Sequence, residues 1–201
     1  MLSVNDGLGG LNLSSVPVFT LSIWFNSTAD QTDRRIFSEG STTSNNPLYN
    51  LGTGAQAANT TNNNKLDFFR RTVGGTTTNN HEQSAETPFE TGTWHNAILI
   101  DNSGSVDLYV DGSFSRSFFY TDTDLSVNTT TFGGILRAVP GQGFTGNLDD
   151  IGIWNEAPAD PAAFASAIAA GAAANTVPIP EPATAVLSAL TLGALAFRRR
   201  R

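Results

Sequence analysis

The stretch "SVDLYVDGSFSRSFFY" (105–120) sets the frame for reading this chain. Asp111-Gly112 stands between two alternating runs, and this dipeptide tolerates the positive φ that a two-residue type I′ turn demands. The stretch therefore reads as a β-hairpin. A regular hairpin sets Val110 opposite Ser113, Tyr109 opposite Phe114, Leu108 opposite Ser115 and Asp107 opposite Arg116. That register puts an aromatic pair and an opposite-charge pair on one face, each contributing on the order of 0.2–1 kcal/mol.

The same grammar extends outward from the hairpin. "VFTLSIWF" (18–25) alternates, with Phe19, Leu21, Ile23 and Phe25 on one face and Thr20, Ser22 and Trp24 on the other. "KLDFFR" (65–70), "WHNAILID" (94–101) and "GNLDDIGIW" (146–154) are further strand-like runs. Between them lie "STTSNNP" (41–47), "NTTNNNK" (59–65) and "GGTTTNNHEQ" (74–83), compositions suited to solvated loops. Many short strands with polar connections predict an antiparallel sandwich. After Trp154 the pattern changes: Asp160 can cap a helix, Pro161 fits its first position, "AAFASAIAA" (162–170) favours helix, and Gly171 stops it. "AANTVPIPEP" (173–182) reads as an extended linker. Fifteen almost wholly apolar residues, 183–197, then precede Arg198, Arg199, Arg200 and Arg201.

Composition narrows the chemistry. The 201 residues carry no cysteine, which excludes disulfides and thiolate metal sites, and only two histidines, His81 and His95. The net charge is −7, but four of the eleven basic residues form the terminal cluster, so seven face eighteen acidic ones ahead of it. An acidic body without a Lys/Arg stripe repels phosphate backbones, so nucleic acid is not an expected partner. The opening "MLSVNDGLGG" (1–10) lacks a basic segment followed by an apolar run, so it shows no secretory signal.

No catalytic constellation emerges. His95, at the start of an apolar strand, reads as a structural imidazole, and no G-x-S-x-G elbow accompanies either histidine. A glycosidase needs two carboxylates about 5–10 Å apart. Asp149 and Asp150 are adjacent, and neighbours on a regular strand point to opposite faces. Glu39, Glu82, Glu86 and Glu90 read as scattered on or near loops. Calcium asks only for several oxygen ligands, and Asp6 and Asp149 are its two candidates. Trp24, Trp94 and Trp154 lie in strands and read as core rather than as platforms for a ligand.

Three pieces, "VFTLSIWF", "WHNAILIDNSGSVDLYVDGS" (94–113) and "GFTGNLDDIGIWNEAP" (143–158), together resemble the laminin G-like, concanavalin A-like jelly-roll domains of extracellular bacterial proteins. The resemblance spans about residues 2–171 and implies an all-β sandwich of two antiparallel sheets with one short closing helix. It also implies binding rather than catalysis, toward glycans or other extracellular partners, sometimes with calcium, for which Asp149 occupies the family's G-x-[IL]-D position. A glucanase-like hydrolase and a purely structural matrix protein are the alternatives on the same architecture.

The C-terminus resembles a second family. Pro180-Glu181-Pro182, a short apolar helix and the arginine cluster match the PEP-CTERM sorting signal of Gram-negative bacteria over residues 179–201. At 1.5 Å per residue the apolar segment spans ~22 Å against a hydrocarbon core of ~30 Å, short for a permanent anchor. Arginines held on the cytoplasmic side agree with the positive-inside rule. The resemblance implies export, transient insertion in the inner membrane, and removal of the tail by an exosortase, leaving the body at the cell surface or in an exopolysaccharide matrix. Proteins sorted this way enter export through an N-terminal signal, so a truncated gene start is expected. The predicted organisation is a sandwich domain over 1–171, a linker over 172–178 and a sorting segment over 179–201.

Overall fold

The alternation of residues 18–25 places a central strand in a two-sheet sandwich. The computed structural model describes residues 2–4, 10–54, 64–78, 88–121 and 125–171. The strands are β1 (Leu2–Val4), β2 (Val18–Ser27), β3 (Arg34–Gly40), β4 (Leu48–Thr53), β5 (Leu66–Arg71), β6 (Thr77–Thr78), β7 (Trp94–Asn102), β8 (Ser105–Val110), β9 (Ser113–Phe119), β10 (Thr129–Phe132) and β11 (Gly146–Trp154). One helix, α1 (Pro161–Ala169), follows. The sheets run β1-β10-β3-β4-β5-β6 and β11-β2-β7-β8-β9, and every ladder between neighbouring strands is antiparallel.

The core fills the space between the sheets. Phe19, Leu21, Ile23 and Phe25 of β2 are fully buried against Phe37 of β3, Leu51 of β4 and Phe68 of β5. A polar tie crosses the same space. The Tyr49 hydroxyl of β4 donates to Asp101 of β7 at 2.7 Å, and the Tyr120 hydroxyl donates to the same carboxylate at 2.9 Å. The Arg70 guanidinium lies 4.4 Å from the Tyr120 ring centroid. Burial holds the Asp101 carboxyl above its ordinary value, against the opposing pull of the two phenols.

The hairpin forms where the sequence predicts, with Asp111 at φ 49° and Gly112 at φ 80°. Tyr109 and Phe114 meet edge to face at 5.5 Å. The register beyond them differs from the regular one. A bulge at Ser115 sets Leu108 opposite Arg116 and Asp107 opposite Ser117, so the expected Asp107–Arg116 pair does not form. Ser117 instead donates to Asp107 at 2.5 Å. The regular register would turn Phe118 outward. With the extra residue, Phe118 faces Val106 in the core and Tyr120 reaches Asp101. Burying a phenylalanine is worth about 1.5–3 kcal/mol, more than the surface pair it displaces.

Glu39 also departs from expectation. It lies in β3, fully buried, and accepts from the backbone N–H groups of Leu13 and Ser14 and from the Thr130 hydroxyl at 2.7, 2.8 and 2.9 Å. Its carboxylate thus caps the 3-10 turn Leu13–Ser15 from across the sheet. Glu90 precedes β7, while Glu82, Glu86 and His81 lie outside the described residues. So do Asp6, Pro180, Glu181, Pro182, the apolar segment 183–197 and Arg198–Arg201. Among the described residues no helix is long and apolar enough to cross a membrane.

Candidate functional site

The polar series of β2 decides what the outer face of the five-stranded sheet can hold. Thr20, Ser22, Trp24 and Asn26 face away from the core. In register, Trp24 pairs with Asn96 on β7 and with Asp149 on β11, while Asn26 pairs with Trp94. α1 covers part of this face. The Asp160 side chain accepts from Ala163 N–H at 3.0 Å, and Pro161 opens the helix, as the sequence predicts. Phe164, Ala165 and Ile168 then pack with Ile98, Ile100 and Tyr109, and Trp154 meets Phe164 edge to face at 5.1 Å. Trp154 is therefore the tryptophan that packs, partly buried, against the cluster under α1. Thr20 and Ser22 are buried as well, the Thr20 hydroxyl donating to the Glu156 carbonyl at 2.7 Å.

Past the end of the helix the face opens into a cleft of about 340 Å³, lined by Trp24, Trp94, Asp149, Asp150 and Gly171. This corrects two expectations. Trp24 is half-buried and Trp94 is 42% exposed, so neither is a core residue; both present indole surface to the cleft. Asp149 and Asp150 do not point to opposite faces of the sheet. β11 bulges between Asp149 and Gly152, Asp150 takes φ 43°, and both residues line the same cleft. The left-handed residue interrupts the alternation on which the expectation rested. The Asp150 backbone N–H donates to the Asp149 carboxylate at 2.9 Å, which holds the Asp149 side chain against the bulge.

The wall beside the cleft is rigidly built. Asn96 is fully buried, and its amide donates to the Ser22 hydroxyl at 3.1 Å and to the Ile23 carbonyl at 3.4 Å. His95, between Trp94 and Asn96, points the other way. Its Nδ1 lies 2.7 Å from Asp111, and its Nε2 lies 3.0 Å from both the N and the O of Glu90. The other Asp111 oxygen accepts from Asn96 N–H at 2.8 Å. His95 thus ties the hairpin turn to the start of β7, so the strand that carries Trp94 is held from both sides.

Charge is unevenly divided between the sheets. Among the described residues, Arg34 and Arg35 lie on β3, Arg70 and Arg71 on β5, Lys65 just before β5, and Arg137 in the segment after β10. All of these belong to the six-stranded sheet or its connections. The five-stranded sheet carries one basic residue, Arg116, on β9, the edge opposite β11. It carries Asp101, Asp107, Asp149 and Asp150, with Asp111 in its hairpin turn and Asp160 at the helix it supports.

Of the two calcium candidates, Asp149 lies at the cleft and Asp6 lies outside the described residues. The ion takes about six to eight oxygen ligands, and among the described residues no three His, Asp or Glu side chains are grouped to hold a metal.

A family model described as the concanavalin A-like lectin/glucanases superfamily matches residues 7–161. The chain belongs to that superfamily. No curated protein matches it in sequence. Solved structures do resemble it. Domain 4 of AbnA, a GH43 extracellular arabinanase from Geobacillus stearothermophilus solved with arabinotriose, is 17% identical with a TM-score of 0.56; the match covers 76% of this chain and 66% of that one. The CBM40 of a Ruminococcus gnavus IT-sialidase bound to α2,3-sialyllactose is 14% identical with a TM-score of 0.59, covering 78% of this chain and 85% of that one. The K499G variant of NanB sialidase from Streptococcus pneumoniae is 13% identical with a TM-score of 0.61, covering 90% of this chain but 27% of the sialidase. At these identities the concanavalin A-like likeness is one of fold, and the cleft must be argued from its own residues.

Proposed function

We propose that this protein is an exported, non-catalytic glycan-binding module that takes a sugar chain in the Trp24/Trp94 cleft. The observation that carries this reading is the convergence of two accessible indoles and two carboxylates in one concavity. Flat apolar sugar faces stack on indoles, and carboxylates accept strong hydrogen bonds from hydroxyls. The volume falls within the ~300–1,000 Å³ usual for small-molecule sites. The likeness to domains solved with arabinotriose and with sialyllactose supports a glycan as the ligand class. Catalysis is disfavoured because both carboxylates come from consecutive residues of one edge strand, whereas hydrolysis needs two carboxyls flanking the scissile bond. The tail 179–201 supports export, exosortase processing and display at the surface or in an exopolysaccharide matrix.

The test is a glycan array with the body, residues 1–177, and its Trp94→Ala variant, each with and without calcium. Selective binding that needs Trp94 and does not need calcium is expected. Absence of any selective signal would favour a purely structural matrix role, and a pattern unchanged in Trp94→Ala would remove the cleft from the account. Intact-mass analysis of the growth medium tests the tail: a released form still carrying Arg201 counts against processing.

A further inference from the structure

The strand register fixes how the two indoles of the cleft stand to each other. Resting on the glycan reading above, we infer that the cleft takes two neighbouring residues of an extended chain of all-equatorial sugars, one on each indole, rather than a single sugar. Residues directly opposite on antiparallel strands share a face. Trp24 stands opposite Asn96 and Asn26 opposite Trp94, so the four form one patch on the outer face of β2 and β7, with the indoles on one diagonal and the amides on the other. Diagonal neighbours of this kind lie about 7–8 Å apart. Directly opposite aromatics pack on each other, as Tyr109 and Phe114 do at 5.5 Å, whereas a diagonal pair leaves each ring a face of its own. The amides hold the spacing: Asn96 donates to the Ser22 hydroxyl at 3.1 Å, and Asn26 donates to the Gly92 carbonyl just ahead of β7 at 3.3 Å.

The chain holds three tryptophans; Trp154 packs with Phe164 under α1, and the other two line the cleft. Both indoles therefore meet a ligand from the same side of the sheet. In an extended, ribbon-like β-linked chain successive rings are turned over, so two platforms on one side touch opposite faces of neighbouring sugars. Close C–H contact with an indole needs a sugar face free of axial hydroxyls, because dispersion attraction falls away steeply with a gap. A chain that is flat on both faces, as in a cellulose-type glucan, satisfies both platforms. A mannan, with an axial hydroxyl on one face of every ring, satisfies one of them.

Titration calorimetry of the full chain with glucose, cellobiose, cellotetraose and mannobiose tests this. Cellobiose is expected to bind at least about tenfold more tightly than glucose and at least about threefold more tightly than mannobiose, with little further gain at cellotetraose. Trp24→Leu, which removes one ring and keeps an apolar side chain, should cancel the gain from glucose to cellobiose. Phe119→Ala, which removes a 72% exposed aromatic of β9 in the same sheet, should keep it, and this separates the cleft from exposed aromatic surface in general. The wild-type series decides the matter even if Trp24→Leu does not fold. Glucose or mannobiose binding as tightly as cellobiose, a gain that survives Trp24→Leu, or one that is lost in Phe119→Ala would overturn the inference. Trp94-dependent binding on the array without this gain would leave the glycan reading standing and remove this one alone, whereas no Trp94-dependent binding of any glycan would remove both.

Discussion

Replacing Tyr49 by Phe isolates the buried tie between the sheets. The ring is fully buried and packs against Phe19, Phe37 and Phe68 at centroid distances of 5.8, 6.4 and 4.9 Å, contacts that phenylalanine retains. What is lost is one donor to Asp101, at 2.7 Å. A hydrogen bond to a charged group contributes about 1.5–3 kcal/mol, so the variant should lose about that much at neutral pH. The loss should depend on pH in a definite direction. Burial, the largest influence, raises the Asp101 carboxyl above its unfolded value, and the Tyr49 hydrogen bond is the strongest of the opposing ones. A carboxyl with a raised folded pKa contributes stability that is complete below the unfolded pKa and is lost as pH rises through the folded one. Removing Tyr49 raises the folded pKa further, so the variant forfeits more on the way up. The gap between wild type and Tyr49→Phe should therefore be small in acid, where the protonated carboxyl is the folded species in both, and grow toward neutrality. Urea unfolding followed by tryptophan fluorescence over a pH series reads both quantities. A loss below about 0.5 kcal/mol at neutral pH, or a gap that does not change with pH, would refute the account of Asp101 as a buried carboxylate supported by phenols.

Other expectations are sharper for being local. Gly112→Ala should cost about 1–3 kcal/mol in thermal or urea unfolding, because φ is 80° there and a Cβ would stand 2.9 Å from the Ala169 Cβ; a neutral result would mean α1 yields freely. Deleting Ser115 should change stability by less than about 1 kcal/mol, since removing the extra residue turns the observed Leu108–Arg116, Asp107–Ser117 and Val106–Phe118 pairing into that of an unbulged hairpin. A loss beyond about 3 kcal/mol would show that the bulge itself supports the strand. Trp94→Ala should leave stability within about 1 kcal/mol, given its exposure, while abolishing glycan binding on the array. Unfolding of that variant would make Trp94 a packing residue after all.

The strands that carry a clean alternation were legible, because one face of each is core and the period of two is visible in the letters. Strands β3 and β10 were not. "RRIFSEG" and "TTTF" contain polar residues that are buried on both faces, Glu39 and Thr130 bonded to each other across the ladder, and such partners lie far apart in sequence. The hairpin turn was readable from Asp111-Gly112, but its bulge was not, since it is the competition between Phe118 and the surface pair that decides it. Trp24 could have been recognised as accessible: it stands on the polar side of an alternating strand, where a large aromatic has no core to enter. Trp94 follows only once register places it beside Asn26 on the same face. The convergence of Asp149 and Asp150 depends on a left-handed residue in mid-strand, which no spacing rule announces.

Gly171 carries a consequence for orientation. It ends the helix at φ 89° and forms part of the rim around the two tryptophans. The last described residue of the chain therefore lies at the rim of the Trp24/Trp94 cleft proposed to take the glycan. Under the sorting proposed above, a body tied down through residues beyond Gly171 would hold that cleft close to the layer it is tied to, so the glycan to test first is one from the same surface.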